Sequence, residues 1–454
     1  MKPISYIILF LISFNGVSQI FSDEQLYQID SLNAVINNPT SHDTSLAGSY
    51  VTLSEILYIS SIDTLKYLCE KAKIIAETSL LNDNPEKVQK SLRESLALSL
   101  NNIGYAYNNK GKVKEALDYY SRSLKTYEKT GNKSGIALAL NNIGYLYKNK
   151  GQIKEALDYF SRSLKIREEI GNKEGIALAL NNIGFLYQNK GQIKEALDYY
   201  SRSLKIYEEI GDKRGIATAL NNIGLIYKNQ GQVQEALNYY NRSLKLREEI
   251  GDKKSIAVSL NNIGFVYNNK GEVEEALDYY DRSLKIYEEI GNKDGIATAL
   301  NNIGCIHKTQ EQIKEALGYF NRSLKISEEI GDKEGIALSL NNIGDIYKNK
   351  GKIKEALAYG LRSLRISQEM GSPARIKSSS ILLSQVYEKQ GKGMLALDMH
   401  KLHIQMRDSI NNEETQKAAT QQQAKYAYEK QKVLDDAAHE KQKVVDDAEH
   451  DKLL

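Results

Sequence analysis

A helical pattern of apolar and polar positions fills the middle of the chain. Apolar residues lie three or four apart between 136 and 147, and again between 153 and 170, so each stretch presents one apolar helix face. Gly151 and Gly171 follow the two stripes, at the position where a helix commonly ends in a left-handed residue. The pattern predicts two antiparallel helices joined by a short turn, called helix A and helix B below.

This helix pair recurs with a fixed period. The tetrapeptide Asn-Asn-Ile-Gly begins seven times, each 40 residues after the last, at positions 101, 141, 181, 221, 261, 301 and 341. Such a period is typical of solenoids, in which stacked units share one core. We therefore expect seven 40-residue units over 96–375 rather than several globular domains.

Weaker helical patterns flank the array. Segment 46–95 predicts a degenerate helical hairpin, and 376–410 predicts a degenerate capping hairpin, because terminal repeats of a solenoid are commonly atypical. Segment 19–45 predicts a lead-in with a short helix or an irregular cap. The chain would then hold about nine hairpins.

The N-terminus has the order of a signal peptide. Lys2 precedes an apolar run from Ile4 to Phe14, and small residues follow up to Ser18. We expect cleavage after Ser18, a signal peptide over 1–18, and export to the periplasm or another extracytoplasmic compartment. The alternatives are a buried N-terminal helix, an uncleaved anchor, and a cytoplasmic scaffold whose N-terminus mimics a signal.

The C-terminal segment 411–454 is rich in charge and contains neither Gly nor Pro. Its residues 428–438 are echoed by 439–449, and an eleven-residue repeat keeps one apolar stripe in line along a helix. This pattern predicts a charged helical stalk. Either the stalk pairs with a second copy as a coiled-coil homodimer, or it is a solitary solvated helix.

The repeat resembles the tetratricopeptide repeat in the order of its helix residues: Leu140, Ile143, Gly144, Tyr147, Ala156 and Phe160. The 40-residue period with paired Asn is similar to the variant found in kinesin light chains and in many bacterial regulatory proteins. Ser163 stands where the family usually has Ala. The resemblance implies an all-α solenoid, a right-handed superhelix of antiparallel helix pairs. The eleven-residue repeat of 411–454 predicts that a long coiled-coil-like C-terminal helix follows it.

The resemblance also implies a concave surface lined by the A helices, on which an extended peptide or protein segment would bind. The candidate residues are the first Asn of each pair, the aromatic residue four positions on and the Lys seven positions on: Asn101, Asn141, Asn181, Asn221, Asn261, Asn301, Asn341, Tyr105, Tyr145, Phe185, Phe265, Lys148, Lys228, Lys308 and Lys348. An Asn amide both donates and accepts, so it suits a peptide backbone. Equally, one Asn of each pair could hold neighbouring helices together.

The ligand's expected chemistry follows from the varying positions. They are aromatic in the early units and end in Cys305 and Asp345, and Lys recurs beside them. We therefore expect an extended peptide with apolar anchors and some acidic character. Asn stands where chaperone-binding members of the family have Lys or Arg, so we do not expect their carboxylate clamp.

Composition narrows the function classes. The chain has 61 basic and 58 acidic residues, a net charge of +3 that gives no argument for nucleic acid. No metalloprotease, Cys-x-x-Cys or phosphate-loop motif is present, and the pair His400 and His403 lacks a third ligand. We expect no enzyme activity, no cofactor and no metal.

The sixth unit departs from the others. Glu311 replaces the turn Gly, and Gly318 lies inside helix B. Each of these two residues lowers local stability by up to about 1 kcal/mol. We therefore expect 305–318 to be a soft segment, one that opens more readily than the equivalent residues of neighbouring repeats.

A second class of function fits the same order of segments. A signal peptide, a repeat array and a charged helix resemble the sensory region of bacterial transmembrane signalling proteins. The membrane span and a histidine kinase, cyclase or phosphatase domain would then lie beyond Leu454.

Overall fold

The computed structural model describes residues 21–58 and 61–410, which form nineteen helices and no strand within these ranges. The chain divides into two compact units, Met1–Leu186 and Tyr187–Leu454. The predicted signal peptide (1–18) and charged stalk (411–454) lie outside the described residues. Among the described helices, none has the length and apolar content that a membrane crossing requires.

The first unit contains α1 to α7 and most of α8. Their bounds are α1 (Asp23–Asn37), α2 (Asp43–Leu57), α3 (Ile62–Ser79), α4 (Glu86–Asn109), α5 (Val113–Thr130), α6 (Lys133–Asn149), α7 (Ile153–Glu169) and α8 (Lys173–Asn189). Helices α4, α6 and α8 carry the Asn pairs and are A helices, whereas α5 and α7 are B helices. The predicted division at 95/96 falls inside α4, because the first turns of that helix place Leu92 against Ala47 and Ala76 of the preceding helices.

The second unit continues the same alternation. Its helices are α9 (Ile193–Ile210), α10 (Lys213–Asn229), α11 (Val233–Glu249), α12 (Lys253–Lys270), α13 (Val273–Glu289), α14 (Lys293–Thr309), α15 (Ile313–Ile330), α16 (Lys333–Asn349), α17 (Ile353–Glu369), α18 (Pro373–Lys389) and α19 over 393–410. The prediction of an all-α array of paired helices is confirmed.

Two glycines let helix α6 approach an aromatic ring on each side. A Cβ added to Gly144 of α6 would lie 3.0 Å from the ring of Phe160 in the following B helix. A Cβ added to Gly135 would lie 2.3 Å from the ring of Tyr127 in the preceding B helix. These contacts make a larger residue at either position a steric problem, and they fix how A and B helices stack.

A buried serine hydroxyl of helix B donates a hydrogen bond to a backbone carbonyl oxygen of helix A in the same repeat. The Ser163 hydroxyl donates to the Ala137 carbonyl oxygen at 2.7 Å. The same bond, 26 residues apart, joins Ser123 to Ala97, Ser243 to Ala217, Ser283 to Ala257, Ser323 to Ala297 and Ser363 to Ala337. This hydrogen bond is a physical reason for Ser where the family usually has Ala.

The turns between helices use left-handed residues, as predicted. Gly151 has a φ of 71°, and Glu311 takes the equivalent conformation with a φ of 62°. Within the described ranges, Glu311 is the sole residue other than Gly with positive φ. A side chain in this conformation costs about 1–2 kcal/mol, so the sixth unit carries local backbone strain.

Candidate peptide-binding site

The Asn pairs of successive A helices form a hydrogen-bonded row, which we call the Asn ladder. In the first unit, the second Asn of one repeat donates to the first Asn of the repeat before it: Asn142 Nδ2 to Asn101 Oδ1 (2.9 Å) and Asn182 Nδ2 to Asn141 Oδ1 (3.2 Å). The second unit has the same bonds from Asn262 to Asn221 (3.2 Å), from Asn302 to Asn261 (3.1 Å) and from Asn342 to Asn301 (3.1 Å). The ladder therefore holds A helices together.

Each ladder bond uses one half of each amide. The first Asn accepts through Oδ1 and the second donates through Nδ2, so the Nδ2 of the first and the Oδ1 of the second take no part in the bond. Asn101, Asn141 and Asn301 are buried, whereas Asn181, Asn221, Asn261 and Asn341 are half-buried. The choice between ligand contact and helix contact, open in the sequence, is thus partly resolved: both members of a pair contact the neighbouring helix.

The ladder ends at Asn341. The equivalent of the Asn pair on α18 is Ile381 and Leu382, neither of which has a side-chain donor. Asn341 Oδ1 is accordingly buried without a hydrogen-bond partner. This end residue is a natural comparison for the bonded members of the row.

The surface formed by the Asn pair, the residue four positions after the first Asn and the residue seven positions after it is called the A-helix face. In the first unit, Lys148 Nζ lies 3.9 Å from the ring centroid of Tyr145 and 4.9 Å from that of Phe185. Tyr145 is 40% exposed and Phe185 is half-buried. The A-helix face of this unit thus presents a cation framed by two rings.

The second unit repeats this arrangement around Lys228. Its Nζ lies 4.7 Å from the ring centroid of Phe265, which is exposed. Burial lowers the pKa of both Lys148 and Lys228, and neither has a carboxylate partner among the described residues. A half-buried ammonium without a counter-ion favours an anionic ligand group, and the rings favour an apolar one beside it.

The other two candidate lysines have partners within the chain. Lys308 Nζ lies 2.6 Å from Asp345 Oδ2, and Lys348 Nζ lies 2.6 Å from Asp345 Oδ1 and 2.7 Å from Gln385 Oε1. Burial tends to raise the pKa of Asp345, but the hydrogen bonds from Lys308 and Lys348 outweigh it and hold that pKa below its usual value. These lysines are therefore engaged with Asp345 in this structure.

An 80-residue alternation runs through the A and B helices of the array. Lys148, Lys228 and Lys308 alternate with Asn108, Gln188 and Asn268 at the same helix position. On the B helices, Tyr127, Tyr207 and Tyr287 alternate with the buried residues Arg167 and Arg247. Arg247 Nη1 donates to the Ser255 carbonyl oxygen at 2.9 Å and to Ser259 Oγ at 2.7 Å. Lys148, Lys228 and Lys308 thus recur with every second repeat, whereas Lys348 follows Lys308 after a single repeat.

Within the described residues, twelve tyrosines stack in six pairs, each joining the last turn of an A helix to the following B helix. The rings of Tyr147 and Tyr159 have centroids 5.4 Å apart, with Lys150 over one ring and Arg162 over the other. Equivalent pairs recur in other repeats, which accounts for much of the excess of 30 Tyr over 7 Phe. We assign these pairs to helix packing.

Metal binding finds no support in the described part of the chain. A ring nitrogen of His403 lies 3.0 Å from the Lys377 carbonyl oxygen, and the His400 and His403 ring centroids are 6.1 Å apart. No group of three metal-ligating side chains occurs within 21–58 and 61–410. Cys69 and Cys305 are both free thiols, the first buried and the second half-buried.

Solved structures with similar folds include three regulatory proteins. They are the apo quorum sensor NprR from B. thuringiensis (15% identity, TM-score 0.56, 85% of this chain and 99% of that chain), the signal-transduction ATPase PH0952 with a tetratricopeptide repeat sensor from Pyrococcus horikoshii (14%, 0.55, 89% and 66%), and the Rap conjugation gene regulator of plasmid pLS20 in complex with the Phr* peptide (16%, 0.50, 85% and 96%). At these identities the likeness shows the fold alone.

Sequence comparison identifies the family directly. No curated protein matches the chain significantly. The tetratricopeptide repeat model matches residues 95–169, 175–249, 255–329 and 314–369, which together make up more than half of the chain. These matches coincide with the helix pairs that carry the Asn ladder, and the chain belongs to the tetratricopeptide repeat family.

Proposed function

We propose that this protein is a scaffold without catalysis of its own, which binds an extended peptide segment on an A-helix face. The ligand segment carries Asp or Glu beside apolar residues. The observation that carries this proposal is Lys148, a half-buried cation with two aromatic neighbours and no acidic partner in the described residues. Lys228 with Phe265 supports it independently in the second unit.

The chemistry of the face matches such a segment. A carboxylate placed at Lys148 would supply the missing counter-charge in a site partly shielded from water, where a charge-assisted hydrogen bond is strong. Tyr145 and Phe185 would cover an adjacent apolar side chain. In the first repeat the two amide groups outside the ladder bond each other, from Asn101 Nδ2 to Asn102 Oδ1 at 3.3 Å. At Asn141 and Asn261 the Nδ2 group takes no part in the ladder bond and would donate to a ligand backbone carbonyl. The Rap regulator of pLS20, solved with the Phr* peptide, is a precedent for peptide binding by this fold.

A defined probe peptide tests the proposal on the full chain. The probe is a fluorescein-labelled peptide of five Asp-Leu repeats, and its affinity is measured by fluorescence anisotropy. Lys148→Gln should weaken binding about tenfold, the effect of losing one charge-assisted hydrogen bond. The matched control is Lys150→Gln. It removes a positive charge two positions further along the chain, from a lysine that lies over the Tyr147 ring. Equal affinity losses in the two variants would reject the assignment.

The aromatic part of the site needs its own variant. Tyr145→Ala combined with Phe185→Ala should weaken the same probe, because the two rings form the apolar frame around Lys148. Tyr159→Ala, which alters a stacked pair at the helix ends, is the control. Unchanged affinity in the double variant would exclude this face as the binding surface.

We also propose export, on the signal-like order of residues 1–18. Mass spectrometry of the mature protein should find an N-terminus at Gln19, and retention of the residues before it would contradict export. The sensory-region alternative and the pairing of two copies through 411–454 stay predictions.

A further inference from the structure

Each lysine of the A-helix faces contacts the residue at the same relative position on the next A helix. Lys148 lies near Phe185 and Lys228 near Phe265, and each partner residue is 37 positions further along the chain. Lys308 contacts Asp345, which is again 37 positions on. Three lysines thus make the same contact between consecutive A helices, with only the partner exchanged.

The facing residue decides whether the lysine has a counter-ion: a ring supplies none, whereas a carboxylate supplies one. At Lys148 and Lys228 the facing ring leaves the ammonium without a counter-ion in the described residues. At Lys308 the carboxylate of Asp345 supplies it, and Lys348 donates to the other oxygen of the same carboxylate. Two ammonium groups therefore converge on one carboxylate.

Asp345 differs from the ordinary ion pairs of this chain. Pairs such as Lys213 with Glu249 and Lys253 with Glu289 join exposed side chains of an A helix and the following B helix. Asp345 instead is half-buried, with its side chain 25% exposed, and occupies the variable position of the A-helix face where two other repeats have Phe185 and Phe265. The carboxylate thus lies at a position that we assign to ligand contact.

Resting on the function proposed above, we propose that Lys308 and Lys348 form an anion subsite that the chain fills itself with Asp345. The internal carboxylate is the counterpart of the Asp or Glu side chains that a ligand offers at Lys148 and Lys228. Asp345 is then a specificity-determining residue: it prevents an acidic ligand residue from binding at the last regular repeats. Removing the carboxylate opens the subsite.

Gain of binding is the expected result. Asp345→Asn keeps the size of the side chain, and Asp345→Phe installs the residue found at the equivalent positions 185 and 265. Both variants should bind the Asp-Leu probe about tenfold more tightly than the parent chain, because two ammonium groups become available to the probe. A probe with Asn in place of every Asp should show no gain. Adding Lys308→Gln and Lys348→Gln should abolish the gain.

The control is a change of equal charge elsewhere. Asp278→Asn removes a carboxylate that pairs with Arg282 on the exposed surface of a B helix. An equal gain in this control would show that only net charge matters, and it would overturn the subsite. Unchanged affinity in both Asp345 variants would overturn it too, and would show that Asp345 is an internal ion pair only.

The two proposals fail in different ways. If Lys148→Gln does not weaken probe binding, the proposed function is contradicted, but the Asp345 measurement can still be interpreted. A gain in Asp345→Asn that depends on Lys308 and Lys348 supports the subsite whatever the affinity of the parent chain. Circular dichroism of each variant verifies folding, and the near-isosteric Asp345→Asn carries the test if Asp345→Phe does not fold.

Discussion

The Asn ladder makes a quantitative prediction, because the chain contains a bonded and an unbonded version of the same residue. Asn261 Oδ1 accepts from Asn302 Nδ2 at 3.1 Å, whereas Asn341 Oδ1, at the equivalent position, has no partner. Both side chains are half-buried. Replacing each by Ala removes the same atoms, but a ladder bond is lost at Asn261 alone, whereas at Asn341 an unpartnered acceptor is removed.

The expected difference is about 1 kcal/mol. A lost partner leaves a polar group unsatisfied at a cost of about 1–3 kcal/mol, and the half-buried Asn302 amide can reach water, which places the cost at the lower end. Asn261→Ala should therefore destabilise the contact between neighbouring A helices by about 1 kcal/mol more than Asn341→Ala does. The double variant Asn261→Ala with Asn302→Ala should recover part of the loss, since no orphaned donor remains.

Native-state hydrogen exchange measures this effect repeat by repeat. Global unfolding is unsuitable because repeat arrays lose cooperativity between distant units. In Asn261→Ala, the free energy of opening should fall in α12 and α14, which carry the bond. An equal fall around Asn261 and Asn341 in the two variants would refute the ladder as a stabilising contact.

Three further predictions concern single positions. Glu311→Gly should raise the free energy of opening of the sixth repeat by about 0.5–1 kcal/mol, because it relieves the left-handed strain. In the parent chain, hydrogen exchange in 305–318 that is no faster than in the neighbouring repeats would contradict a soft segment. In the same hydrogen-exchange measurement, Gly135→Ala should lower the free energy of opening of α5 and α6, since its Cβ would meet the Tyr127 ring. Gly318→Ala, with open space around it inside a helix, should raise the free energy of opening of the sixth repeat by about 1 kcal/mol. The folded state binds fewer protons at Asp345 because its pKa is lowered, so this stabilisation is present above about pH 4 and is lost as the pH falls through the folded pKa. The free energies of opening around Asp345 in the parent chain and in Asp345→Asn, measured by hydrogen exchange, should therefore converge as the pH falls below about 4, and a difference that does not shrink with falling pH would contradict the charge cluster.

The sequence was sufficient for the features that depend on local spacing. Apolar periodicity and the turn glycines gave the helix pairs, and the left-handed conformation of Glu311 followed from its place in the repeat. Contacts between repeats were harder to derive, because the partners of Lys148 and Lys308 lie 37 residues away and depend on the register of neighbouring helices. The split use of each Asn amide likewise depends on side-chain orientation, which spacing alone does not determine.

The most direct test of the account is an unbiased peptide selection against the full chain. A displayed random-peptide library is selected on the parent chain, on Lys148→Gln with Lys228→Gln, and on the control Lys150→Gln with Lys270→Gln, whose lysines lie over stacked Tyr rings. The account predicts enrichment of Asp or Glu beside apolar residues on the parent and on the control, and loss of this enrichment on the Lys148 and Lys228 variant. Enrichment of basic or uncharged peptides, or an equal loss on both double variants, would contradict it.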